Sequence, residues 1–258
     1  MPATTVARES VRAPASTLPP VVLLHGFAAS GEEDFVATGW PETLVAAGRS
    51  VEVVDLPGHG RSGAVAGDAA TTAGIVAALA GVLAELDAGA GVDVIGYSLG
   101  ARLAWELPGA TGRVRRLVLG GLSPFEPFAA VDVAAVGRAA ARAAGEADAG
   151  ADAGSGPGAD GAADPLVGMM AAMVSAPGRD TASLLALMAG LGSQPFDPAA
   201  GVPAVPTLVA AGADDVMTSG LEAVAATLPD AVFVPVPGEH RGALDSAEFR
   251  DAAIRFLA

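Results

Sequence analysis

The stretch Gly96-Tyr97-Ser98-Leu99-Gly100 constrains this chain more than any other. An apolar run of strand length, Val92-Asp93-Val94-Ile95, leads into it. Ala101–Leu107 leads out of it and reads as a helix stopped by Pro108. A strand that turns into a helix within so few residues brings two backbones into close contact and forces the apex into strained angles. Glycines on either side of Ser98 remove the side chains that such contact would exclude. The turn lifts one hydroxyl above the end of a strand, where a base can reach it. The helix start behind it offers amide donors and a positive dipole end. Taken alone, the pentapeptide is also compatible with a glycine-rich turn carrying a solvated serine.

The rest of the chain alternates in the same way. Val21–Leu24, Val51–Val54, Leu117–Leu119, Thr207–Ala210 and Val232–Val234 are short, apolar runs that suit strands covered on both faces. Between them lie helical stripes. Ile75, Leu79, Val82, Leu83 and Leu86 share one face, and Asp245 with Glu248 has the spacing of a capping box before Phe249, Phe256 and Leu257. This order predicts an α/β fold with a mostly parallel, doubly wound sheet. Residues 1–19 read as a frayed tail or one irregular edge strand.

The alternation stops between Pro124 and Pro206, where helical stripes occur without a strand. Leu166, Met169, Met170, Met173 and Val174 form one stripe, and Leu184, Leu185, Met188 and Leu191 another. The methionines suit either a soft roof over a ligand or ordinary helix packing. We read 124–205 as a short helical cap inserted into a core made of 1–123 and 206–258. Within it, 145–163 is almost entirely Ala, Gly, Asp and Ser and reads as a flexible connector.

Composition excludes several functions. The 258 residues contain no cysteine, so disulfides, thiolate metal sites and a cysteine nucleophile are out. That usage suits a reducing compartment, and a cytoplasmic location is expected. A net charge of -15 argues against nucleic acid and anionic membranes as partners. The longest apolar run, Ala73–Ala84, is far shorter than the about 20 residues a membrane span needs, and Met1–Pro20 lacks the apolar core of a signal peptide. The expected partner is a small-molecule substrate, and the oligomeric state is left open.

Only three histidines occur, and each follows a strand. His25 lies in His25-Gly26-Phe27, and His59 in Asp55-Leu56-Pro57-Gly58-His59-Gly60-Arg61-Ser62. His240 closes Pro237-Gly238-Glu239-His240. Their spacing does not suit a metal. These motifs, in this order with Gly-Tyr-Ser-Leu-Gly and an acid after a late strand, make the chain resemble the α/β-hydrolase family over almost its whole length. In that family the order is nucleophile, acid, histidine. The resemblance implies Ser98 as nucleophile and His240 as general base. Asp214 and Asp215 compete for the acid. In similar proteins it stands three residues after the glycine, which points to Asp215, while Asp214 becomes a turn residue. For Asp215 alone, a helix N-cap is the plainer reading. The oxyanion donors implied are the backbone N–H groups of Leu99 and Phe27. His25 and His59 then brace loops, and neither a cofactor nor a metal is implied.

Two further residues stand near the serine. Tyr97 either faces the pocket or packs beneath the elbow. Arg102 either pairs with acids or faces an acidic substrate. The run Gly96–Ala104 also resembles the 2-succinyl-6-hydroxy-2,4-cyclohexadiene-1-carboxylate synthases, which eliminate pyruvate and bind a substrate carboxylate with an arginine at this spacing. The arginines at 138, 142 and 179 match no such pattern. The expectation is therefore a serine hydrolase of a small ester through an acyl-serine intermediate. The lyase is the alternative, and a non-catalytic binding scaffold the third possibility.

Overall fold

The computed structural model describes residues 4–14, 16–148 and 164–258. Seven strands form one sheet: β1 (Arg8–Val11), β2 (Val21–Leu24), β3 (Val51–Val54), β4 (Val92–Tyr97), β5 (Val114–Gly120), β6 (Thr207–Gly212) and β7 (Ala231–Val236). Their spatial order is β1-β3-β2-β4-β5-β6-β7. All neighbours are parallel except β1, which runs antiparallel along β3. The open choice for the N-terminal segment thus resolves as an edge strand. What holds it is a buried acid: Glu52 on β3 accepts from Ser10 Oγ at 2.6 Å and faces Arg12 at 3.2 Å.

The helices are α1 (Trp40–Ala46), α2 (Thr72–Glu85), α3 (Leu99–Ala110), α4 (Val133–Asp148), α5 (Pro165–Val174), α6 (Thr181–Ser193), α7 (Leu221–Ala225), α8 (His240–Asp245) and α9 (Ala247–Leu257). Successive strand residues point to opposite faces. Val22, Leu24 and Val94 meet Leu79 of α2 and Leu103 of α3 on one side. Val21, Leu23 and Ile95 meet Leu44 of α1 and Phe249 of α9 on the other. The core is therefore two apolar layers separated by the sheet, which is why its central strands are mostly apolar.

Two boundary expectations are corrected. Helix α3 continues through Pro108 to Ala110. The proline falls in the last turn, where it forfeits a single backbone hydrogen bond, and Thr111 N–H donates to Leu107 O at 2.9 Å to close the end. The buried face of Leu103, Ala104, Trp105 and Leu107 outweighs that loss. At the C-terminus the cap of α9 is Ser246, whose hydroxyl accepts from Phe249 N–H at 3.2 Å. Asp245 instead ends α8.

Helices α4, α5 and α6 lie in the chain between β5 and β6, and α5 and α6 both pack on α4. Residues 145–148 of the stretch read as a connector belong to α4, and 149–163 lie outside the described residues.

Candidate active site

Ser98 stands between the last residue of β4 and the first of α3 with φ 52° and ψ -115°. A Cβ on Gly96 would lie 2.4 Å from Gly100 O, and one on Gly100 would lie 1.9 Å from Leu24 O. Only glycine fits at either place, because the helix must start against the ends of β4 and β2. Among the described residues, Ser98 and Ala28 are the only non-glycine residues at positive φ. Both sit at the carboxyl end of the sheet, where the loops after β2, β4, β6 and β7 converge.

The loops after β6 and β7 meet backbone to backbone. Asp214 N–H donates to Gly238 O at 3.1 Å, and a Cβ on Gly212 would lie 2.4 Å from that same oxygen. This approach sets Asp215 beside His240. His240 Nδ1 lies 2.7 Å from Asp215 Oδ2, and His240 Nε2 lies 3.0 Å from Ser98 Oγ. Asp215 is buried and Asp214 exposed. Asp215 also caps the short turn that follows, its Oδ1 accepting from Met217 N–H at 3.0 Å. The capping reading and the histidine-partner reading use different oxygens of one carboxylate.

Tyr97 lies beneath the elbow and also lines the cavity above it. Its hydroxyl donates to the backbone carbonyl of His240. The ring occupies a slot that exists because Gly120 and Gly121 have no side chains; a Cβ on either would come within 2.8 Å of it. Burial, and then the charge of Asp215, hold the phenol well above its ordinary pKa, so it stays a donor.

His25 and His59 hold the loop after β2. His25 Nδ1–H donates to Gly26 O at 2.7 Å, while Nε2 accepts from Leu56 N–H at 2.9 Å. His59 Nε2 accepts from Ala28 N–H at 3.1 Å. Burial keeps both neutral, lowering the pKa of His25 and, with repulsion from His25, that of His59 to about 3. Phe27, which this loop carries, packs against Phe128 with the rings tilted by 57° and their centroids 4.8 Å apart.

Three contributors were not singled out from the sequence. Asp34 is buried and accepts from Gly26 N–H at 2.8 Å and from Arg241 at 2.5 Å. Arg241 follows His240 directly, so the pair ties the histidine segment to the loop bearing Phe27. Glu239 caps α8 through Arg241 N–H at 2.9 Å and Gly242 N–H at 2.8 Å. Adjacency to His240 was an available signal for Arg241 and Glu239; for Asp34 the sequence carries none.

Arg102 is buried rather than on the surface. It donates to Glu106 Oε1 at 2.8 Å, faces Glu126 Oε2 at 3.8 Å and lies over the Phe196 ring at 4.7 Å. Burial raises the pKa of Glu126, although the Phe128 amide and Arg102 pull against that rise.

A cavity of about 480 Å³ opens above Ser98 and His240. Phe27 and Leu99 line it from the sheet side; Phe128, Val131, Met169, Met170 and Met173 line it from the inserted segment. Among the described residues, no cluster of His, Asp or Glu suits a metal ion, and no helix is long and apolar enough to cross a membrane.

Solved structures share this architecture. A hydrolase from Pseudomonas aeruginosa PA01 has a TM-score of 0.73 at 24% identity, over 99% of this chain and 95% of its own. An esterase from Thermogutta terrifontis has 0.68 at 23%, over 98% and 92%. An enol-lactonase from Burkholderia xenovorans LB400 has 0.71 at 17%, over 98% and 96%. At such identities these likenesses concern the fold alone. None of the curated proteins compared matches the chain. The family model for the alpha/beta hydrolase family, however, matches residues 21–252. Its span takes in every loop just described, from the turn after β2 to His240, and the chain belongs to the α/β hydrolase family.

Proposed function

We propose that this hydrolase cleaves uncharged esters through an acyl-Ser98 intermediate. The observation that carries the reading is the continuous chain from Asp215 Oδ2 through His240 to Ser98 Oγ, at 2.7 and 3.0 Å, opening into a cavity. Ser98 Oγ attacks the ester carbonyl carbon while His240 Nε2 takes its proton. Asp215 holds the ring with Nδ1–H toward the carboxylate and stabilises the imidazolium. The carbonyl oxygen becomes an oxyanion facing the N–H groups of Leu99 and Phe27. The C–O bond to the alcohol breaks as His240 returns the proton to it. Water, deprotonated by the same ring, then attacks the acyl-serine, releasing the acid and restoring the Ser98 hydroxyl.

In this reading, the described parts of 124–205, residues 124–148 and 164–205, form the cap over the cavity, and the sheet with the flanking segments is the core. The elimination of pyruvate from a carboxylated substrate is less well supported. That reading asks Arg102 for a substrate carboxylate, and Arg102 already faces Glu106 and Glu126.

A fluorophosphonate probe tests the reading. It should label the protein at Ser98, and Ser98→Ala should lose both the label and about four orders of magnitude or more of ester turnover. Folded Ser98→Ala protein with near-normal turnover would overturn the assignment.

A further inference from the structure

Both arginines that line the cavity above Ser98 are paired with carboxylates. The arginines in its lining are Arg102 and Arg241. Arg102 faces Glu106 at 2.8 Å and Glu126 at 3.8 Å. Arg241 faces Asp34 at 2.5 Å and Asp245 at 3.4 Å. Each guanidinium therefore has two carboxylates within ion-pair distance. A substrate carboxylate entering here meets two guanidiniums already paired with carboxylates, and two of those acids, Asp34 and Glu126, line the cavity themselves.

The remaining wall is apolar and flexible. Leu166, Met169, Met170 and Met173 are spaced three or four apart along α5, so they share one face of that helix. That face lines the cavity, yet Met169 is 53% exposed and Phe125, also in the lining, 55%. Ala171 and Val174 of the same helix are buried, so α5 is anchored by one stripe and leaves the other uncovered. Unbranched methionine side chains re-pack around chains of varied shape at little cost. An acetyl group would fill a small part of about 480 Å³ and leave this face wet.

We propose that the site selects esters whose acyl part is an uncharged, flexible hydrocarbon chain laid along the apolar face of α5, and that it rejects acyl chains ending in a carboxylate. The proposal rests on Ser98 being the acylated nucleophile. Desolvation of the chain supplies the selectivity, and the pairing of both arginines, with Asp34 and Glu126 in the wall, supplies the rejection.

The test uses 4-nitrophenyl acetate, butanoate, hexanoate and octanoate, with the adipoyl mono-ester as the carboxylated match for hexanoate. Active sites are first counted with the fluorophosphonate. From acetate to hexanoate, kcat/KM should rise roughly two- to fourfold per methylene, and the adipoyl ester should run at least about a hundredfold below hexanoate. Met169→Gln with Met173→Gln, both at partly exposed positions, should compress the hexanoate-to-acetate ratio by about fourfold or more. Glu126→Gln keeps an oxygen for the Phe128 amide and should raise the adipoyl-to-hexanoate ratio several-fold. Full labelling with no rise along the series, or with the adipoyl ester preferred, overturns this inference and leaves the hydrolase reading standing. An unchanged ratio in the folded double variant removes α5 from it, and an unchanged ratio in Glu126→Gln removes the charge argument. No labelling and no turnover of any ester sinks both readings together.

Discussion

The two walls of the cavity are built on opposite terms. On the sheet side almost every group is fixed more than once. Ser98 is pinned by a strained turn between two glycines that accept no side chain. Asp215 has one oxygen on a backbone amide and the other on His240, whose carbonyl is held by Tyr97. Arg241 and Asp34 lock that segment to the loop carrying Phe27. On the α5 side the lining is a half-exposed row of Leu and Met side chains without polar anchors. If Ser98 and His240 react as proposed, they tolerate little displacement, and redundant hydrogen bonds and backbone contact suit that wall. Under the proposal that an acyl chain lies along α5, that wall needs area, which flexible side chains supply without a fixed geometry.

That contrast can be broken at its strongest point first. Asp215→Asn should lower kcat about 10³- to 10⁴-fold, because an amide cannot support the imidazolium and imposes the wrong tautomer. Asp214→Asn should stay within a few-fold. The reverse result, measured on folded protein, would move the acid by one residue.

The next largest difference is in stability. Gly100→Ala drives a methyl group into Leu24 O and should cost about 3 kcal/mol or more, read from urea denaturation. Met169→Gln, on the other wall, should change stability by no more than about 0.5 kcal/mol. Equal effects would show that the two walls are held alike.

The sheet-side wall should also carry a pH signature. His59 is held neutral with a pKa of about 3, below the 6.5 of an unfolded chain. The unfolded state therefore binds the extra proton between these values. Stability from this group is complete above pH 6.5 and is lost as pH falls toward 3. The expected loss between pH 7 and pH 5 is about 2 kcal/mol, with His25 shifting in the same direction. His59→Gln should flatten that slope. A wild-type unfolding midpoint that holds constant from pH 7 to 5 would show that His59 is protonated in the fold.

The smallest effect sharpens the comparison within the reactive wall. Tyr97→Phe removes one hydroxyl and leaves the ring in its slot. It should lower kcat about three- to tenfold with KM within twofold, consistent with one hydrogen bond to the His240 carbonyl. An equal loss in kcat and rise in KM would instead mark Tyr97 as a contact for substrate.

Much of the fold was legible because the sheet is buried on both faces. Such strands are mostly apolar, and six of the seven carry apolar runs that stand out in the chain. β1 did not, since its sequence Arg-Glu-Ser-Val is polar and its place depends on Glu52, a distant residue. The helix ends were less legible. Whether Pro108 stops α3 depends on how much of that helix is buried, and whether Asp245 or Ser246 caps α9 depends on where α8 ends. The elbow around Ser98 was readable from a local motif, since a tight strand-to-helix turn needs glycine wherever it occurs, whereas His240 and Asp215 were reached only through what the family resemblance implies. Arg102 was half-readable: an acid partner four residues on is a matter of helical spacing, but Glu126 reaches it only through the chain's return after β5.

By itself the sequence determined which residues turn sharply, which runs must be buried, and which few side chains are chemically able to act. Those are local properties, set by steric limits on the backbone and by side-chain chemistry. Tertiary structure alone decided which partners those side chains found. Asp215 and His240 meet because the β6 and β7 loops approach through Gly212 and Gly238. Arg241 meets Asp34 across some two hundred residues of chain, and Arg102 has its charge met by two acids. Charge pairing and desolvation depend on distance in space, which no local pattern encodes.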